Sequence, residues 1–228
     1  MAQVKLADHM KERRSGYERW PERMSPFVTI SRQFGCYGFS VGLLLMEILN
    51  EDAPPQRTWH IYNREILARL ATETNLAAEF LDGLRREKPS LIVDFFRALS
   101  RDRIPSGYEV RHRITTIIRG LAMKGCAIIV GQGGAGATAD LPNGISIRLE
   151  APEGWRARQI AQREGITEAR ARVKVRAKEQ EREHLRTIYQ KRFHREPPFD
   201  IVYDCSAFTL AQIAQHVAYA MRLKGCIT

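Results

Sequence analysis

Phe27–Gly42, FVTISRQFGCYGFSVG, runs a short apolar strand into a glycine-bracketed turn and then into residues at helical spacing. Backbone amides at such a strand-turn-helix junction cradle phosphate. A full phosphate-binding loop reads G-x-x-x-x-G-K-[ST], yet no lysine stands between Val28 and the end of the helix that follows. Nucleotide binding is the leading expectation, carried by a loop that has the shape without the usual cation. For the loop taken alone, an ordinary strand-to-helix connection explains the residues equally well.

Outward from the loop, strand and helix patterns alternate. Val41, Leu44, Leu45, Ile48 and Leu49 recur at helical spacing, and Glu51–Arg57, with Pro54 and Pro55, ends that helix. Trp59–Tyr62 reads as a second strand, and Ile66, Leu67 and Leu70 begin a helix with Asn63 as N-cap. Helical patterns then dominate to Lys124, broken at Pro89 and around Ile104–Gly107. Cys126–Val130 is an apolar block between Gly125 and Gly131, the pattern of a central strand covered on both faces, and it ends in GQGGAG. Ile145–Leu149 gives another strand, followed by a helix from about Gly154 and a polar helical stretch from Thr167 to about Phe193. Phe199–Tyr203 is the last strand. Thr209 and Gln212 form a capping box for a closing helix with the stripe Leu210, Ile213, Val217 and Met221. Strands separated by helices pair in parallel through right-handed crossovers, so the expected fold is a three-layer α/β sheet with ligands at the carboxyl ends of the strands.

The 228 residues suit one domain, with 44% apolar and 27% charged residues. No apolar run approaches the roughly 18 to 20 residues that span a bilayer. The N-terminal MAQVKLADHMKERRSG lacks an apolar stretch and a small-residue cleavage site, so a cytoplasmic location is expected. Cys36, Cys126, Cys205 and Cys226 lie far apart without a C-x-x-C pair, which argues against zinc and for reduced thiols. The histidines form no metal spacing, and none is assigned a catalytic role.

A formal charge of +10 calls for an anionic partner or a strongly solvated surface. Positive residues gather in Lys11–Arg23, within a basic extension over residues 1–25, and again in Arg156–Arg195. Nucleic-acid binding is an alternative but not the favoured one, because the aromatic residues that stack bases are not interleaved with these charges.

The order of these segments resembles the cytidylate kinase-like family of P-loop nucleoside monophosphate kinases. TISRQFGCYG looks like the family's opening strand and loop, which usually ends Gly-Ser-Gly-Gly, and IYNREIL resembles its Tyr-Asp-Lys-Glu-Leu-type segment. TNLAAEFLDGLRREKPSL, CAIIVGQGG, ISIRLEAPEGWRARQI, the E-x-x-R of Glu179 and Arg182, and FDIVYDCSAFTLAQIA follow in the family's order. The resemblance implies a three-layer P-loop NTPase fold with a parallel sheet of about five strands. It also implies an acceptor-side helical region over about 63–124 and a helical lid over about 156–195.

The implied activity is transfer of the γ-phosphoryl group of ATP, with Mg2+, to a nucleoside monophosphate such as CMP. On that pattern the amides of Gly35, Cys36, Tyr37, Gly38, Phe39 and Ser40 hold the donor phosphates, and Ser40 offers the hydroxyl for Mg2+. Arg156 and Arg158 open the lid, and Arg182 is the arginine finger, its alternative being a surface ion pair with Glu179 or Glu183. Arg32 reads either as the replacement cation or as a surface arginine at a strand end. The acceptor side is expected to draw on Asn63, Arg64, Arg111, Gly131, Gln132 and Gly133.

Three residues depart from the family pattern. Gly38 aligns with the loop lysine, Tyr37 stands where the family has glycine, and Gln132 replaces the arginine expected to hold the acceptor phosphate. They motivate the alternative of a degraded kinase-like protein that binds nucleotide in a regulatory or scaffolding role.

Overall fold

The apolar block of β1 (Phe27–Arg32) is buried over its first four residues because strands flank it on both edges and helices cover both faces. The computed structural model describes residues 25–51, 53–67, 107–193 and 199–227. The helical patterns expected at Leu70 and from Leu91 to Leu99 fall outside those residues.

After β1 come α1 (Gly38–Glu51), a 3-10 turn at Pro55–Arg57, β2 (His60–Tyr62), α2 (Gly107–Lys124) and β3 (Ala127–Val130). The short α3 (Gly134–Ala137) leads to β4 (Gly144–Glu150), then α4 (Glu153–Glu164), α5 (Glu168–Phe193), β5 (Ile201–Asp204) and α6 (Leu210–Leu223). The sheet order is β2-β3-β1-β4-β5, and every pairing is parallel. The chain leaves β1 for one edge, returns to β3, then crosses to β4 on the other side. The crevice at the carboxyl ends of β1, β3 and β4 is therefore the topological switch point.

Side chains alternate across the sheet with period two. Val28, Ile30, Ile128, Val130 and Ile147 face Val41 and Leu45 of α1 and Ile213, Val217 and Met221 of α6. Phe27, Ala127 and Ile129 face Ile117, Ile118 and Leu121 of α2. On this second face, β1 and β4 turn polar toward their carboxyl ends: Thr29 Oγ1 donates to Ser146 Oγ at 2.8 Å, and Arg148 Nη1 donates to Ser31 Oγ at 3.2 Å. Those polar positions form the floor of the candidate site.

Local signals hold at both ends of the chain. Asn63 Oδ1 accepts the Ile66 N–H at 3.0 Å, as an N-cap should, and both halves of the Thr209–Gln212 capping box are made. Three strands start later than the sequence pattern suggests, and Trp59 lies just before β2. Cys126 has φ 49 and lies before β3, and Phe199 lies before β5, where its ring meets the Arg148 guanidinium. Among the described residues no helix is long and apolar enough to cross a membrane.

Gly144 pairs with Phe27, and the buried Phe27 ring lies where a Gly144 side chain would project. Gly144→Ala is expected to destabilise the fold by about 2 kcal/mol through overpacking, read as a lower urea midpoint at unchanged slope. An unchanged midpoint would contradict this packing.

Candidate functional site

The loop after β1 is built around two backbone positions in the left-handed region. Gly35 has φ 97, and a Cβ there would lie 3.0 Å from Cβ of Arg156 and 3.2 Å from its carbonyl oxygen, so only glycine fits beneath α4. Tyr37 has φ 44; its hydroxyl donates to Gln159 O at 3.2 Å, and its ring lies 5.5 Å from the Arg163 guanidinium. The side chain is thus tied back to α4. α1 starts at Gly38 with no acidic residue in its first turn, leaving a positive helix end at the loop.

Arg32 crosses this junction. A Cβ on Gly38 would lie 3.1 Å from Arg32 Cγ and 3.2 Å from Cδ, so the arginine stem fills the volume a lysine at position 38 would need. Its guanidinium lies against Gly131, where any side chain would overlap Nη1. Gly131, Gln132 and Gly133 all have positive φ, at 77, 54 and 73, which turns the chain sharply after β3 and exposes its backbone to the guanidinium.

The expected lid is a helical hairpin. α4 and α5 pack through Ala157, Ile160, Ala171 and Val175, with Phe34 of the loop against them, and Gly165 ends α4 at φ 64. Glu153–Arg176 and Glu164–Lys174 ion pairs join the two helices on their exposed sides. Arg156 is buried and turned inward: Nε donates to Ala151 O at 2.9 Å, and Nη1 donates to Phe34 O and to Glu179, each at 3.3 Å. Glu179 Oε2 also accepts the Phe34 amide at 2.9 Å. Arg182, one helical turn on, donates from Nη1 to Arg32 O at 3.2 Å and stacks over the Phe34 ring at 5.2 Å.

These elements enclose a cavity of about 550 Å³. Its walls come from the end of β1 with Arg32 and Phe34, the Gly131–Gly134 turn, Asn63 and Arg64 after β2, Arg148 of β4, and the face of α5 carrying Glu179 and Arg182. Burial, followed by the neighbouring Arg182 charge, pushes Arg32 down to about 10, with Glu179 opposing, so it stays cationic at neutral pH. Burial also lowers Arg182, Glu179 opposes that shift, and Arg156 and Arg148 add to it. Two neighbouring guanidinium groups lining one cavity are stabilised by an anion between them.

Of the residues expected from sequence, Arg32, Arg182, Phe39, Asn63, Arg64, Gly131, Gln132 and Gly133 line this one cavity. Gly35, Cys36, Tyr37, Gly38 and Ser40 form the loop and helix start beside it rather than its wall. Arg158 is exposed on α4, away from the cavity, and Arg111 lies in α2 with its side chain outside the described residues. Asp204 Oδ1 accepts from the Ser206 amide and hydroxyl at 2.8 and 2.7 Å, a capping turn after β5.

Sequence reasoning missed Arg148, a buried arginine inside a central strand. The signal was present in the alternation: Gly144, Ser146, Arg148 and Glu150 make one polar register opposite the apolar Ile145, Ile147 and Leu149.

A model of the cytidylate kinase-like family matches residues 27–207. No curated protein matches the chain. Among solved structures, an uncharacterized protein from Eubacterium ventriosum is 19% identical, with a TM-score of 0.63, covering 88% of this chain and 99% of its own. TT1252 from Thermus thermophilus is 16% identical over the same shares, with a TM-score of 0.44. The first likeness supports the fold, while the family match takes in the loop after β1, the glycine turn after β3 and the α4–α5 hairpin together. On that match, the chain belongs to the cytidylate kinase-like family.

Proposed function

We propose that this chain transfers the γ-phosphoryl group of ATP, with Mg2+, to a nucleoside monophosphate, CMP being the acceptor its family favours. The observation that carries the proposal is the convergence of Arg32, from the end of β1, and Arg182, from α5, on one cavity beside the start of α1. Phosphoryl transfer asks the protein for positioning and positive charge rather than covalent chemistry. Arg32 supplies the charge that the loop lysine would bring, and Arg182 reaches from the lid to the same place.

ATP provides the transferable phosphoryl group and Mg2+ neutralises its phosphates. No cluster of three or more metal-ligating side chains occurs among the described residues, so the phosphates themselves would hold most of the ion, with Ser40 as the protein's hydroxyl ligand. The acceptor phosphate would sit against Arg32, Arg148 and Gln132, with Asn63 and Arg64 at the cavity mouth.

A nucleotide-binding protein without turnover is the second reading. It is favoured by Arg156, whose guanidinium is committed to Ala151, Phe34 and Glu179. Magnesium-dependent ADP release separates the two. Stimulation by one nucleoside monophosphate is expected, with CMP the first to try; ATP binding with no stimulation by any natural monophosphate would leave the second reading standing.

A further inference from the structure

Cys36 and Cys205 are 169 residues apart in sequence and meet beside the phosphate loop. Cys36 is fully buried between Gly35 and Tyr37, and Cys205, 4% exposed, follows β5 with its amide donating to Glu150 O. Cys205 Sγ lies 3.9 Å from Cys36 O, so the Cys205 thiol donates to the loop backbone at Cys36. The neighbouring Cys205 thiol, with burial, pushes the Cys36 thiol up. Cys205, the less buried of the two, is the sulfur a small peroxide reaches first. Cys126 and Cys226 belong to the other end of the sheet: the Cys126 amide donates to Pro26 O before β1, and Cys226 follows Lys224, which reaches Gly144 O at the start of β4.

We propose that Cys36 and Cys205 form a reversible disulfide that ties the phosphate loop to the turn after β5 when a hydroperoxide enters. The Cys205 sulfur attacks the outer peroxide oxygen, the O–O bond breaks, and the leaving oxygen takes the thiol proton. With hydrogen peroxide this gives water and a sulfenic acid on Cys205. Cys36 sulfur then attacks Cys205 Sγ, the S–S bond forms, the S–O bond breaks, and hydroxide leaves as water with the Cys36 proton. Two thiols lose two electrons and two protons, and the peroxide is reduced to two waters. The shielding of both sulfurs selects a small peroxide over a bulky disulfide as oxidant.

A disulfide holds its sulfurs at about 2.05 Å, closer than two unbonded sulfurs approach, so the bond draws Cys36 toward β5. Gly35 and Tyr37, the left-handed residues on either side, take up the movement, and they orient the loop amides. The covalent step is independent of the kinase proposal; its effect on nucleotide rests on that proposal.

The test uses the full chain treated with hydrogen peroxide, alkylated under denaturing conditions and mapped by peptide mass. The expected product links the Cys36 and Cys205 peptides, reverts with dithiothreitol and is lost in Cys205→Ser, while Cys126 and Cys226 stay alkylated. A fluorescent ATP analogue should bind about tenfold more weakly after oxidation and recover on reduction. Separate alkylation of Cys36 and Cys205 after peroxide, or their over-oxidation without a link, overturns the disulfide. A link that leaves analogue binding unchanged overturns the switch, and a link in a protein that binds no analogue in either state supports the disulfide and overturns the nucleotide reading instead.

Discussion

Arg182→Ala is expected to lower monophosphate-stimulated ADP release by about a thousandfold, the scale on which a charge supplied to the transferring phosphoryl group acts. The expectation rests on how Arg182 is held. Its guanidinium lies over the Phe34 ring at 5.2 Å, bonds to Arg32 O and lines the cavity from α5, so no search of conformations is needed when substrate arrives. Lysine should not rescue it, because an ammonium on a flexible stem loses both the planar stack and the forked geometry. Arg158→Ala is the internal control: that side chain is exposed on α4, and its removal is expected to change turnover less than threefold. Equal effects at Arg182 and Arg158 would show that the lid acts through general charge, and retention of a tenth of the activity in Arg182→Ala would remove it from the transition state.

Much of the fold was legible because the core signals are local. FVTI and AIIV are short blocks of apolar and β-branched residues, the pattern of central strands covered on both faces. Thr209 and Gln212 close their capping box through backbone groups a few residues away, so tertiary context does not override them. The site was legible only in part, for the opposite reason. That Glu179 would spend its carboxylate on the Phe34 amide, 145 residues away, depends on how the lid hairpin docks. Arg182 shares a helical face with Glu179, yet the hydrogen bonds of the Glu179 carboxylate go to Phe34 and Arg156. Tyr37 stands where the family has glycine, yet its positive φ carries the ring under Arg163, a direction that one-dimensional pattern does not encode. Arg148 was hidden by its strand, since the apolar half of the alternation drew attention away from the polar half.

Arg32 leads to the second large effect, and to a result opposite to the one motif repair would suggest. Arg32→Ala is expected to cost about a hundredfold or more in turnover, since it removes a preorganised cation from the cavity wall. Gly38→Lys places a lysine at the position the full phosphate-loop motif assigns to it. If Gly38 were a defect, activity should rise. Here the Arg32 stem already occupies that volume, with Cγ and Cδ within 3.2 Å of where the new Cβ would stand. The lysine would displace Arg32 from Gly131 and set two cations against each other, so activity is expected to fall at least tenfold with little change in thermal midpoint. In the double variant Arg32→Ala with Gly38→Lys the volume is free again, and part of the activity lost in Arg32→Ala should return. That non-additivity is the measurement that matters, because contact between the two positions is what couples their effects. A gain of activity in Gly38→Lys alone, or strictly additive losses in the pair, would mean that Arg32 does not stand in the lysine's place.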